Sequence, residues 1–152
     1  NKYAKDNSSS DIAWLHALNF LKKKITITNI IGLQPTSPIR GKSDIDSACK
    51  IFVKKKYDSL FSAMAISDHF IWKLKNKKLI ANYNYIERPM RQKIEHKYLE
   101  NGSFYIFDAK KFSKYKNRLF GKIGVYEMTR INSLQLDELE DIKLFNSLKK
   151  FY

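Results

Sequence analysis

Ile25-Thr26-Ile27-Thr28-Asn29-Ile30-Ile31-Gly32-Leu33, followed by Gln34-Pro35-Thr36-Ser37-Pro38-Ile39-Arg40-Gly41, is the stretch on which the fold turns. The first nine residues are β-branched and largely apolar, which predicts a strand buried in a parallel sheet rather than a half-exposed one. Two prolines in the next eight forbid regular structure. A loop therefore follows the carboxyl end of a buried strand, the place where open α/β sheets bind ligands.

Upstream, residues 8–11 supply N-cap chemistry, and Ile12, Leu15, Leu18 and Leu21 recur at helical spacing, predicting a helix that ends near Lys24. Downstream, Ser43 or Asp44 can cap a helix carrying Ile45, Ala48, Cys49 and Phe52, and residues 59–66 form the next strand. Residues 70–73 and 79–83 flank the turn Lys75-Asn76-Lys77, which reads as an antiparallel hairpin. Residues 84–97 are polar and basic around Pro89 and read as a loop. A strand over 102–107, a helix over 109–115, a strand over 123–128, a short strand over 133–136 and a helix from Glu138 to about Lys149 complete the chain. The last helix turns Leu139, Ile142, Phe145 and Leu148 inward. Strands alternating with helices give an α/β class.

The 152 residues, 43% of them apolar, fit one domain with a real core over 1–152. Lys and Arg number 29 against 15 Asp and Glu, for a formal charge of +14. Such an excess raises nucleic acid, anionic membrane or phosphorylated small molecules as partners. Only five of the basic residues are arginines, however, and the lysines fall in short runs at the ends of elements, where solvated charge is ordinary. Neither a nucleic-acid nor a membrane partner is expected, and a basic polyanion-binding module remains the minor alternative. A single cysteine, Cys49, excludes an intrachain disulfide framework and fits a cytoplasmic setting. The apolar runs are far too short to span a membrane as a helix.

The five glycines do not cluster, so neither a P-loop nor a dinucleotide fingerprint is present. His16, His69 and His96 lack metal-ligand spacing. Three segments carry the remaining chemistry. The 34–40 loop offers an amide, hydroxyls and backbone N–H groups to a polar ligand. Arg88-Pro89-Met90-Arg91-Gln92 offers guanidinium forks suited to carboxylate or phosphate. Asp137 precedes the last helix and reads either as its N-cap, with Glu140 closing a capping box, or as a carboxylate that holds Mg²⁺.

Leu33-Gln34-Pro35-Thr36-Ser37-Pro38-Ile39-Arg40, Asp68-His69-Phe70-Ile71-Trp72-Lys73, Arg88-Pro89-Met90-Arg91-Gln92, Glu100-Asn101-Gly102-Ser103-Phe104-Tyr105 and Ser133-Leu134-Gln135-Leu136-Asp137 together resemble the acylneuraminate cytidylyltransferases, the CMP-sialic acid synthetases, in order and spacing across nearly the whole chain. The resemblance implies a Rossmann-like nucleotide-diphospho-sugar transferase fold with a mainly parallel sheet. It implies an antiparallel excursion over about residues 68–100 that forms a homodimer. It also implies Mg²⁺-dependent transfer of CMP from CTP to a nonulosonic, sialic acid-like sugar. On that likeness Gln34 and Ser37 contact the sugar or the CMP, and Arg91 meets anionic groups. Asn101 and Tyr105 line the pocket, Lys73 approaches from the hairpin, and Asp137 ligates the metal. Family members commonly carry an acidic residue where this chain has Gln135, a weaker metal ligand. They also open with a strand and a Gly-rich triphosphate loop, so this chain is expected to correspond to the later portion of such an enzyme, with a catalytically degenerate homologue as the alternative.

Overall fold

In the computed structural model the described residues are 9–66, 70–90, Lys93 and 97–148. A helix α1 (Ser10–Leu21) is followed by β1 (Asn29–Leu33), α2 (Asp44–Lys55), β2 (Ser59–Ile66), the hairpin strands β3 (Trp72–Lys75) and β4 (Lys78–Ala81), β5 (Lys97–Asp108), α3 (Ala109–Tyr115), β6 (Ile123–Met128) and α4 (Leu139–Leu148). The main sheet has the order β1-β5-β2-β6, and β3-β4 forms a separate two-stranded sheet. β5 runs antiparallel to both neighbours while β2 and β6 are parallel, so three of the four strands point one way and β5 opposes them. The class is α/β, with a mixed sheet.

Alternation along β5 places the two halves of the core. Tyr105 and Phe107 face Leu18, Phe112 and Phe120 beneath α1 and α3. Phe104 and Ile106 face Ala48, Phe52, Leu60 and Met128 on the α2 side. Helices thus cover both faces of the sheet, which explains why β5 is continuously buried from Asn101 to Phe107.

Several elements depart from expectation. The strand predicted over 25–33 is Asn29–Leu33, and instead of lying buried within a parallel sheet it pairs, among the described residues, with antiparallel β5 alone, with Ile31 and Leu33 exposed. Its composition was misleading because the packing on its inner face comes from Trp14, whose Cζ2 would stand 2.6 Å from a Cβ at Gly32. α1 stops at Leu21, and its buried stripe runs through Trp14, Leu15 and Leu18 while Ile12 and Leu21 face outward. Residues 133–136 form no strand: the chain turns through Thr129, Arg130 and Ser133 and then runs alongside the 34–40 loop, with Leu136 N–H donating to Thr36 O at 2.7 Å.

Of the residues expected to point inward from α4, Phe145 is buried, whereas Leu139 and Ile142 are exposed. The helix start is capped by neither Asp137 nor Glu140. Asp141 Oδ2 accepts from the backbone N–H groups of Asp137 (2.8 Å) and Glu138 (2.7 Å), because a short carboxylate in the first turn reaches the orphan donors directly.

Candidate functional site

β5 contains a large bulge. Between Phe61 and Ala63 of β2 lies one residue, Ser62, and opposite it lie the four from Asn101 to Phe104 of β5. The extra residues, Asn101 to Ser103, bow out toward the 34–40 loop, and Gly102 makes this possible at φ +64. A Cβ there would lie 3.0 Å from Gln34 Oε1 and 3.3 Å from Gln135 Nε2, so both amides stand over the bulge.

The bulge is held by a closed polar network. Asn101, 3% exposed, accepts at Oδ1 from Ser62 Oγ (2.6 Å) and Ser103 N–H (3.1 Å). Its Nδ2 donates to Ser133 Oγ at 2.9 Å and faces Met128 Sδ. Ser37, 1% exposed, donates to Asn101 O at 3.4 Å, and Gln135 Nε2 donates to the same carbonyl. Ser62 Oγ in turn accepts from Phe104 N–H. Three segments far apart in sequence are thereby stitched together: the 34–40 loop, the β5 bulge and residues 133–137.

Two charged residues anchor the ends of this arrangement. Arg40 reaches from the loop to Ser103 and Gln34, and burial pushes its guanidinium below its usual range. Asp44, at the start of α2, accepts from Gly41 N–H (2.7 Å), Asn132 Nδ2 (3.3 Å) and Tyr126 OH (3.3 Å), tying the loop to the turn that leads to Gln135. On the α1 side, Arg118 pairs with Asp11 at 2.8 Å and lies over the rings of Trp14 and Tyr105 at 4.6 and 4.7 Å. Tyr105 OH donates to Glu100, and burial, reinforced by that carboxylate, pushes its phenol up to about 12.

The structure thus brings Gln34, Ser37, Asn101, Gln135 and Asp137 to one edge of the sheet. Ser37, Asn101 and Tyr105 spend their polar atoms on the protein itself, so they shape the site from behind. Gln34 and Gln135 are half-buried. The carboxylate of Asp137 is exposed, and no hydrogen bond or ion pair engages it among the described residues. Lys73 is not brought to this edge: it sits exposed on β3, in the separate hairpin. Arg91 lies outside the described residues, as do Asp68, His69 and Gln92.

Two cavities flank the loop. A cleft of about 390 Å³ is lined by Ser9, Ser10, Trp14, Gln34, Pro35 and Thr36. An apolar groove of about 460 Å³ runs between Pro38 and Ile39, Leu136, and the Ile142, Phe145 and Leu148 face of α4. Sequence reasoning had placed the serines only as helix caps, and no local signal marks Arg40, Ser62 or Ser133, whose partners are brought in by the fold.

Among the described residues no group of three or more His, Cys, Asp or Glu side chains could hold a metal ion. Mg²⁺, however, keeps several waters and is typically held by one or two carboxylates together with substrate phosphates. The exposed Asp137 carboxylate fits that role, and Gln135 retains Oε1 as its remaining acceptor.

No protein-family model matches the sequence. The fold is similar to the crystal structure of 4-diphosphocytidyl-2C-methyl-D-erythritol synthase from Anaerococcus prevotii DSM 20548, with a TM-score of 0.64 and 11% identity. The likeness covers 95% of this chain and 68% of that one. The chain therefore shares the α/β fold of that synthase.

Proposed function

We propose that the protein is a cytidylyltransferase that transfers CMP from CTP to a nonulosonic, sialic acid-like sugar and releases pyrophosphate. The observation that carries this reading is the convergence of the 34–40 loop, the β5 bulge and Gln135 with Asp137 at one sheet edge. These are three of the five segments that resemble the acylneuraminate cytidylyltransferases. The structural neighbour is, by its name, a synthase of a diphosphocytidyl compound, which supports cytidine chemistry on this fold.

In this reaction the sugar's anomeric hydroxyl attacks the α-phosphorus in line and gives up its proton to solvent, the bond to the bridging oxygen of the β-phosphate breaks, and pyrophosphate departs. Catalysis then consists of alignment and of charge neutralisation. The Gln34 amide and the backbone of its loop meet the nucleotide or the sugar. Ser37, Asn101 and Tyr105 hold that wall in place. Asp137, with Gln135 as a weaker neighbour, holds Mg²⁺, which neutralises charge on the phosphates when bound. Arg91 enters the proposal from sequence alone as the anion-binding group. The +14 charge steers anionic substrates to the protein.

The hairpin supports a homodimer. A lone two-stranded sheet is at best marginally stable in water. Here Trp72, Leu74, Leu79 and Ile80 are all exposed, Leu74 to 71%, among lysines. A second copy of the chain is the proposed cover, bringing Lys73 toward the partner's site, in a cytoplasmic enzyme.

The test is pyrophosphate release by the complete gene product with neuraminic, legionaminic or pseudaminic acid. Release is expected only when CTP, Mg²⁺ and one of these acids are all present. No release with any of the three overturns the proposal.

A further inference from the structure

The ladder between β1 and β5 ends where the bulge begins, and one side chain closes it. Gln34 N–H donates to Ser103 O at 3.2 Å, just beyond the last β1 pair. Arg40 Nη2 donates to that same carbonyl at 2.9 Å and to Gln34 O at 2.8 Å, while its Nε donates to Ser103 Oγ at 3.0 Å. The guanidinium therefore bridges both strands of the broken ladder. A planar fork can satisfy three acceptors in this geometry, and a lysine ammonium on a flexible stem cannot. All three acceptors are neutral, and among the described residues no carboxylate lies within ion-pair distance of Arg40. A partly buried charge spent on neutral oxygens is a costly way to secure a mere surface turn. Its position, between Gln34 and the residue that follows Gly102, gives it a different use.

We propose that Arg40 is the positioning residue of this site: it clamps Gln34 to Ser103 and so fixes the Gln34 wall against the β5 bulge in the arrangement that receives the nucleotide. The nucleotide half of this inference rests on the cytidylyltransferase reading; the clamp itself does not.

The complete gene product and its Arg40→Ala and Arg40→Lys variants test it through two readouts. The first is amide hydrogen exchange in the ligand-free protein. In Arg40→Ala, exchange at Gln34 and Ser37 is expected to rise by about tenfold or more, while the amides of Phe104 to Phe107 keep their protection. The second is titration with CTP and Mg²⁺, where misplacing the wall is expected to weaken binding by about a hundredfold. Lysine restores little, whereas added guanidinium ion restores part of the Arg40→Ala loss and sodium chloride at equal ionic strength does not.

Unchanged exchange at Gln34 in Arg40→Ala overturns the clamp. Rescue by sodium chloride as good as by guanidinium reduces Arg40 to a diffuse charge and overturns it too. A wild type that binds no CTP overturns the cytidylyltransferase reading, and the exchange experiment then still decides the clamp. If Arg40→Ala does not fold, Ser103→Ala, which removes only the Oγ acceptor, is read the same way, with faster exchange at Gln34 expected and unchanged exchange overturning the clamp.

Discussion

The 34–40 loop with the β5 bulge, and the β3-β4 hairpin, are both irregular excursions from the sheet, yet they are secured in opposite ways. The loop is closed by its own chain: Ser37 and Asn101 are almost fully buried and every side-chain polar atom of Asn101 has a partner. The hairpin has its own turn, with Asn76 and Lys77 at positive φ as a two-residue hairpin turn prefers, and a ring ladder of Phe70, Tyr83, Trp72 and Tyr85. Among the described residues no buried side chain lies in it, and every residue of β3 is exposed. One region is fastened by hydrogen bonds among its own three segments. The other leaves Trp72, Leu74, Leu79 and Ile80 exposed.

The comparison breaks most severely at Asn101. Replacing it with alanine orphans the buried Ser103 N–H, at about 1–3 kcal/mol. It also removes one partner each from Ser62 Oγ and Ser133 Oγ, which keep Phe104 O and Thr129 O. Asn101→Ala is expected to lower the melting temperature by roughly 6–12 °C, the equivalent of about 3 kcal/mol for a chain of this size. A melting curve identical to wild type shows that the network does not hold the loop. Gly102→Ala comes next. Its left-handed backbone and the nearby Gln34 and Gln135 amides predict a loss of about 1–2 kcal/mol, measurable by urea unfolding.

Tyr105 gives a smaller, pH-dependent effect. Its phenol is raised above its ordinary value of about 10, so the folded state holds the proton more tightly than the unfolded chain. The associated stability is fully present below about pH 10 and is lost as pH climbs toward about 12. The melting temperature of Tyr105→Phe is therefore expected to fall less steeply than that of wild type over that interval. Parallel curves remove the phenol from the account.

The hairpin predicts the least effect on the fold and a distinct effect on assembly. Leu74→Lys on an exposed strand is expected to change chain stability by no more than about 0.5 kcal/mol. Light scattering is expected to show a dimer converted to monomer. An unaltered mass for a dimeric wild type places the subunit contact elsewhere.

The helices α2 and α3, strand β6 and the hairpin were legible in the sequence because local signals specified them, apolar period and turn chemistry, although Ser43 makes no capping bond at the start of α2. The strand over 25–33 misled because its isoleucines look doubly buried, while Gly32 actually marks where Trp14 lies flat on an edge strand. Residues 133–136 look like a strand by composition, but their backbone is claimed by the 34–40 loop. The 34–40, 100–105 and 133–137 segments stood out in the sequence by resemblance, and the fold brings them together. Which of their side chains support and which are free was not legible, since that depends on the β5 bulge joining residues about sixty positions apart. The same limit hid Asp141, which caps α4 and so releases Asp137 from that task.

That release makes Asp137 the most direct test. Pyrophosphate release from CTP, with Mg²⁺ and a nonulosonic acid, should be measured for the complete gene product and for Asp137→Asn, alongside their melting temperatures. The rate is expected to fall by orders of magnitude while the melting temperature stays put. An Asp137→Asn variant that turns over as fast as wild type contradicts the assignment of Asp137 as the metal-holding carboxylate, and with it the site proposed here.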